Sequence, residues 1–276
     1  MIGHRVLVLV PHPDDEIVGC FAAIARARAA GREIFTLYLT TGVPPIEQVW
    51  PWQRRDHGAR VCRRRAEALR VAERLGVHPL AFLDWPSRTL RDHLAEARAR
   101  VARVLADPAN DIDTLWVPAY EGGHQDHDVT NMIGSTFAGD AGSMRVLEFA
   151  EYNFRDRVVR SHEFIACSHD DVVLVLTAQE RQLKAEMLDA YVSERATLGS
   201  IEIGRERFRP LARYDYSRPP HPSPLFYERF QWVPLRHPRV DFTSPAQICA
   251  AMARYRQEIR DVERPPPLHS GYLPAR

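Results

Sequence analysis

The sequence predicts an α/β fold in which a mostly parallel sheet carries helices on both faces, followed by a loop-rich C-terminal extension. Three observations lead there. Short β-branched and leucine-rich runs alternate with helical stretches through the first two hundred residues. The first of these runs is apolar at nearly every position, which marks a strand buried on both faces. The composition, 276 residues with 45% hydrophobic and 26% charged side chains, suits one globular unit with a sizeable core.

The elements follow in order. Arg5 to Val10 is the opening strand and stops at Pro11. An alanine-rich helix runs from about Ile17 to Ala30, with Gly31 placed to close it. Glu33 to Leu39 is the second strand, and a Pro- and Trp-rich loop follows from Val43 to Gln53. This loop leaves a strand end, so it is a candidate lid; Trp50 and Trp52 would line a pocket or anchor the loop. A helix containing Arg63-Arg64-Arg65-Ala66-Glu67 ends near Leu75-Gly76. Leu80 to Leu83 gives a third strand, Asp92 to Leu105 a third helix, and Thr114 to Val117 a fourth strand. A helix is expected from Gln125 to Phe137, strands at Val146 to Phe149 and Val172 to Leu176, and a long helix from Gln179 to Leu198. Repeated β-α units of this spacing build parallel sheets.

The last third changes character. From Arg205 to Arg239 the chain has seven prolines, seven aromatics and eight arginines, and reads as loop. A helix from Pro245 to Arg260 and the run Pro265-Pro266-Pro267 close the chain. We therefore expect a catalytic core over 1-200 and a loop-rich subdomain over 201-276 that packs on the core and is not independent. Its aromatics most simply pack that subdomain against the sheet. The second use is a pocket wall, with Tyr214, Tyr216, Tyr227 and Trp232 as the stacking candidates.

The net charge of +1 leaves no field to hold nucleic acid or an anionic membrane. No apolar run approaches the ~20 residues of a membrane span. The N-terminal residues lack the features of a secretion signal, and the four cysteines are scattered, so reduced thiols and a cytoplasmic location are expected. Lys184 is the one lysine among 37 basic residues, which a coding bias toward arginine explains. Glycine-rich phosphate loops and the serine-hydrolase elbow are both missing from the sequence.

Two clusters carry the chemistry. Pro11-His12-Pro13-Asp14-Asp15-Glu16 directly follows the first strand. In open α/β sheets the reactive crevice lies outside the carboxyl ends of the strands. Adjacent carboxylates repel unless a cation or proton sits beside them. A histidine, one carboxylate and a spare carboxylate suit a divalent metal plus a general base. One aspartate capping the next helix would be ordinary; the whole run is harder to explain that way. Gly122-Gly123-His124-Gln125-Asp126-His127 follows the fourth strand. The two histidines share a helix face, so both would bind metal, or one would bind while the other handles protons. If strands one and four are neighbours, His12, Asp15 and His127 converge on one ion and leave a position open for water, the arrangement of a catalytic zinc site.

Together these motifs resemble those of the LmbE-like, or PIG-L, zinc-dependent de-N-acetylase superfamily. Arg64-Arg65-Ala66-Glu67 and Leu75-Gly76-Val77 extend the resemblance over roughly the first 150 residues. It implies a Rossmann-like three-layer sandwich and hydrolytic removal of an acyl group from an amino sugar. It also implies His12, Asp15 and His127 as zinc (Zn2+) ligands and Asp14 as general base. His124 would face the tetrahedral intermediate, oriented by Asp126. On physical grounds a protonated His124 would stabilise the oxyanion, and Arg64 either adds positive charge at the site or is a plain solvated arginine of a basic helix. Two departures stand out. Gln125 replaces a proline common in the family, and Asp84-Trp85-Pro86-Ser87-Arg88 replaces its usual P-D-G, so Asp84 or Ser87 would take over the sugar contact. The expected partner is a small N-acylated amino sugar or glycoconjugate, with no nucleic acid and no membrane span; a homo-oligomer is compatible with the sequence. An amidase on a larger acyl-amine is the neighbouring reading. An idle sugar-binding protein is the distant one, disfavoured because Asp14 and His124 are both present.

Overall fold

The computed structural model describes residues 3–138, 144–199, 201–222, 224–229, 231, 237 and 240–263. In chain order the strands are β1 (Arg5–Val10), β2 (Glu33–Tyr38), β3 (His78–Phe82), β4 (Thr114–Pro118), β5 (Arg145–Phe149), β6 (Tyr152–Asn153), β7 (Arg160–Ser161), β8 (Val172–Val175) and β9 (Arg205–Pro210). The helices are α1 (Asp15–Ala29), α2 (His57–Leu75), α3 (Leu94–Ala106), α4 (Gln125–Ser135), α5 (Ala178–Asp189), α6 (Arg195–Leu198) and α7 (Pro245–Glu263).

Seven strands form one sheet in the order β3-β2-β1-β4-β5-β9-β8, and the first five of that order pair in parallel. The expected α/β sandwich is therefore present. Alternation along β1 divides the core. Val6, Val8 and Val10 join the layer under α1, α2 and α5, whereas Leu7 and Leu9 join the layer under α3, α4 and α7. All five residues are fully buried, as a strand covered on both faces requires. Strands β1 and β4 are neighbours, with Val6 opposite Thr114 and Val8 opposite Trp116. The chain runs from β1 outward to β2 on one side and returns to β4 on the other. Their carboxyl ends consequently open on a topological switch point, where a crevice must form.

Two expectations need correction. The stretch from Arg205, read as loop, begins with β9, which pairs antiparallel with both β5 and β8. Prolines and charges around it hide the strand, and its polar residues are matched by buried partners that no local pattern reveals. The long helix expected over Gln179–Leu198 is also broken. It starts on a capping box, Thr177 with Glu180. It ends at Asp189, and a 3-10 turn (Val192–Glu194) separates it from α6. At the break Tyr191 is fully buried, with its hydroxyl bonded to Glu16. No helix among the described residues is long and apolar enough to cross a membrane.

Candidate metal centre

The first cluster begins where β1 ends. Pro11, His12 and Pro13 turn the chain, and Asp14 accepts the first helical bonds of α1 from Ile17 and Val18, both at 2.9 Å. Asp14 adopts φ 131°, in the half of the map that favours glycine, and its own side chain makes no capping bond. Such a backbone costs about 1–3 kcal/mol and persists only where its surroundings hold it. Here Glu16 does so: one carboxylate oxygen accepts the Asp14 N–H at 3.1 Å, while the other is held by the Tyr38 and Tyr191 hydroxyls. The Asp14 carboxylate is thereby freed from its helix. It receives Nη1 of the buried Arg64 at 3.1 Å, and Arg64 also meets Glu194 at 3.2 Å. Gly42, at φ 68°, leaves room for that guanidinium, because a Cβ there would stand 2.5 Å from Arg64 Nη2. Burial, only partly offset by Arg64, pushes the Asp14 carboxyl up to about 7.

The second cluster follows β4. Gly122 and Gly123 carry the chain to His124, the N-cap of α4, which places Asp126 and His127 in its first turn. His12, Asp15 and His127 then converge. His12 Nδ1 lies 3.1 Å from Asp15 Oδ2 and 3.2 Å from His127 Nε2, and the third edge, His127 Nε2 to Asp15 Oδ2, is 3.3 Å. A tetrahedral ion with ligand bonds of ~2.1 Å sets its donors about 3.4 Å apart, so the triangle fits a zinc-sized cation. The electrostatics agree. Burial disfavours charge on His12, yet Asp15 and Asp126 outweigh it and push its pKa up to about 10. The site draws positive charge to the place where the three donors face. His124 also lies near enough to join His12 and His127, and Glu151 to join Asp15 and His127.

Each histidine of the triangle has a carboxylate behind it. Asp126 Oδ2 takes His12 Nε2 at 3.0 Å, leaving Nδ1 for the triangle. That same carboxylate accepts the backbone N–H of Arg88 at 2.6 Å and of Leu90 at 3.3 Å. Burial alone would raise its pKa, but the bond to His12 and the neighbouring charges hold it at about 2. His127 Nδ1 points toward Glu151 Oε2 at 3.7 Å. His127 Nδ1 and both Glu151 oxygens are buried without a hydrogen-bond partner. Carboxylates in this position fix a ligand's tautomer and raise its basicity. Asp126→Asn and Glu151→Gln are each expected to weaken divalent-metal binding by roughly 10- to 100-fold, read by competition with a chelating dye. Unchanged affinity in both would remove them from the centre.

His124 departs from its expected form. Its Nδ1 accepts the backbone N–H of Asp126 at 3.1 Å, so the ring hydrogen belongs on Nε2. Burial and the charge of His12 push its pKa well below the usual histidine value. A neutral ring with a free Nε2–H donor thus replaces the protonated ring expected from sequence. The Asp126 carboxylate, 3.7 Å from His124, orients His12 instead.

Every expected site residue thus lies in one crevice: the triangle, with Asp14, His124, Asp126 and Arg64 around it. Glu151 and Glu194 were not anticipated, and Glu16 stood in the first motif without an assigned role. The one available signal was position, since Glu151 stands just past the end of β5, on the same edge of the sheet as both motifs. Of the two candidates for the sugar contact, Ser87 is buried and Asp84 is exposed. Arg88 takes φ 70°, the conformation that a glycine in the family's P-D-G would adopt freely. The tyrosines expected to pack do so: Tyr214 bonds Glu148 at 2.7 Å, Tyr216 bonds Asn131 at 2.6 Å, and Tyr227 is buried. Trp232 lies outside the described residues.

Residues 7–138 match the family described as PIG-L: GlcNAc-PI de-N-acetylase. No curated protein matches the chain by sequence. Among solved structures, a deacetylase of the teicoplanin biosynthesis pathway superposes with a TM-score of 0.59 at 17% identity, covering 76% of this chain and 99% of its own. The N,N'-diacetylchitobiose deacetylase of Pyrococcus horikoshii gives 0.50 at 18%, over 80% and 87%. GalB, the 4-carboxy-2-hydroxymuconate hydratase of Pseudomonas putida, gives 0.50 at 18%, over 76% and 97%. At such identities the likeness is one of fold.

Proposed function

We propose that this chain, which carries the PIG-L pattern over residues 7–138, is a zinc-dependent hydrolase that removes an N-acetyl or related N-acyl group from an amino sugar or glycoconjugate. The observation that carries the reading is the triangle of His12, Asp15 and His127 with a second, buried carboxylate beside it, Asp14, whose side chain makes no bond to the helix it caps. The names of two structural neighbours, a deacetylase in the biosynthesis pathway of teicoplanin and an N,N'-diacetylchitobiose deacetylase, support an N-acetylated sugar as the substrate class.

Bound by the triangle, zinc would supply a Lewis acid and lower the pKa of water to about 7. The rest belongs to the chain. Asp14, with a pKa of about 7, is matched to take a proton from an attacking water and return it to the departing amine. Arg64 occupies Asp14 Oδ2, which leaves the other oxygen to accept that proton. His124 offers Nε2–H to the oxygen that gains charge when the amide carbonyl becomes tetrahedral, a contact typically worth ~3 kcal/mol. Burial of His12, Asp14, Asp15, Arg64 and His127 excludes competing solvent and strengthens these interactions, while His124 stands partly open to the side from which substrate would enter.

The test is acetate release from a panel of N-acetylamino sugars and their glycosides, together with metal analysis of the purified protein. We expect one bound divalent ion per chain and turnover that chelation abolishes and added zinc restores. Protein that neither retains nor responds to a divalent metal would overturn the proposal.

A further inference from the structure

We propose that Trp52 is a stacking platform for a second sugar ring, one glycosidic bond or more beyond the N-acylated ring. This inference rests on the amino-sugar reading above and deepens it by assigning a place to a second sugar ring. Trp52 is 71% exposed, the most open large apolar side chain among the described residues. It is not loose: its ring stacks on Trp50 with centroids 5.0 Å apart and planes within 10°. Trp50 is half-buried and braced edge-on by His237 at 5.4 Å. With one face committed to Trp50, the opposite face of Trp52 is the one left to solvent.

The loop that carries this face starts beside the site. The loop springs from the carboxyl end of β2, next to Gly42, which accommodates Arg64. It is closed on itself by His57 Nε2 and the Pro44 carbonyl at 2.8 Å. On the other side His237 is followed by Val240, whose carbonyl meets Arg88 at 3.4 Å, and by Asp241, whose carboxylate bonds Gln125. Four residues of chain span at most ~14 Å, which bounds the separation of His237 from Asp241, the partner of Gln125 beside His124.

The chemistry selects the occupant. An aromatic face held rigid offers contact area at little entropic cost. The C–H face of a pyranose covers such a ring while its hydroxyls turn to water and to Gln53, Arg54 and Arg55 alongside. A lipid chain would require an enclosed apolar groove, and the residues that follow Trp52, Gln53 to Asp56, are polar or charged.

Calorimetry on the full chain with metal bound tests this, in an Asp14→Asn background so that no acyl group is lost. We expect N,N'-diacetylchitobiose to bind about tenfold more tightly than N-acetylglucosamine. Trp52→Ala should abolish that difference without changing monosaccharide binding, and Trp52→Phe should keep most of it. Equal binding of the two sugars, no binding of either, or an unchanged ratio in Trp52→Ala would each overturn the platform. Acetate release by the otherwise unaltered protein reads the hydrolase separately. Turnover without a disaccharide preference sinks the platform alone, and a Trp52-dependent preference without turnover sinks the hydrolase alone.

Discussion

Asp14→Asn should lower the rate of acyl release by about 10²- to 10⁴-fold while the protein keeps its metal. Asparagine preserves the shape of the side chain and its bond from Arg64, but it cannot accept and return a proton. The three donors of the triangle are other residues, so metal content measured by mass spectrometry should be unchanged. Arg64 retains Glu194 as a partner at 3.2 Å, which keeps a buried cation from being stranded. The fall should therefore appear in kcat, with little change in KM or thermal stability. Full activity in Asp14→Asn would assign the base elsewhere, and loss of metal would make Asp14 a ligand.

The second large effect concerns Lys184. This lysine is fully buried in an ion pair with Glu206 at 2.9 Å. The pair repairs a break in α1. At Cys20 the backbone leaves helical geometry (φ −141°, ψ 20°), which separates the Ala22 N–H from the Val18 carbonyl it would otherwise meet. Val18 O accepts Lys184 Nζ at 2.8 Å instead, and the N–H groups of Ala22 and Ala23 donate to the Glu206 carboxylate at 2.9 and 3.2 Å. An ion pair is thus inserted into the hydrogen-bond ladder of the helix that carries Asp15 and Glu16. Removing one member of a buried pair strands the other, at about 3–5 kcal/mol. Lys184→Met should lower Tm by on the order of 10 °C. The double change Lys184→Met, Glu206→Leu should recover part of that loss, because no unpaired charge remains. A Tm unaltered in Lys184→Met would mean that the pair does not hold the helix. At this position a compact ammonium has a specific task.

The same pair explains why β9 was hidden. Glu206 would disqualify a central strand by its polarity, yet its partners come from α5 and from the interior of α1. Glu148 and Arg209, facing each other across β5 and β9 at 2.6 Å, repeat the pattern. The break after α5 has the same origin: Tyr191 and Glu194 leave the helical course to meet Glu16 and Arg64.

By itself, the sequence determined the elements of the parallel half and marked the two motifs from which the candidate centre is built. Strand and helix periodicity are local properties, and two motifs placed after two strands already place their donors on one edge of the sheet. The tertiary structure alone decided that β1 and β4 adjoin, that Asp126 serves His12 and leaves His124 a neutral donor, and that Glu151 stands behind His127. It alone set Lys184 and Glu206 into the gap in α1. These relations join residues far apart in the chain, and they depend on which buried polar groups packing brings within reach of one another. A buried carboxylate is satisfied by whatever donor the fold supplies, and no spacing along the sequence records which donor that is.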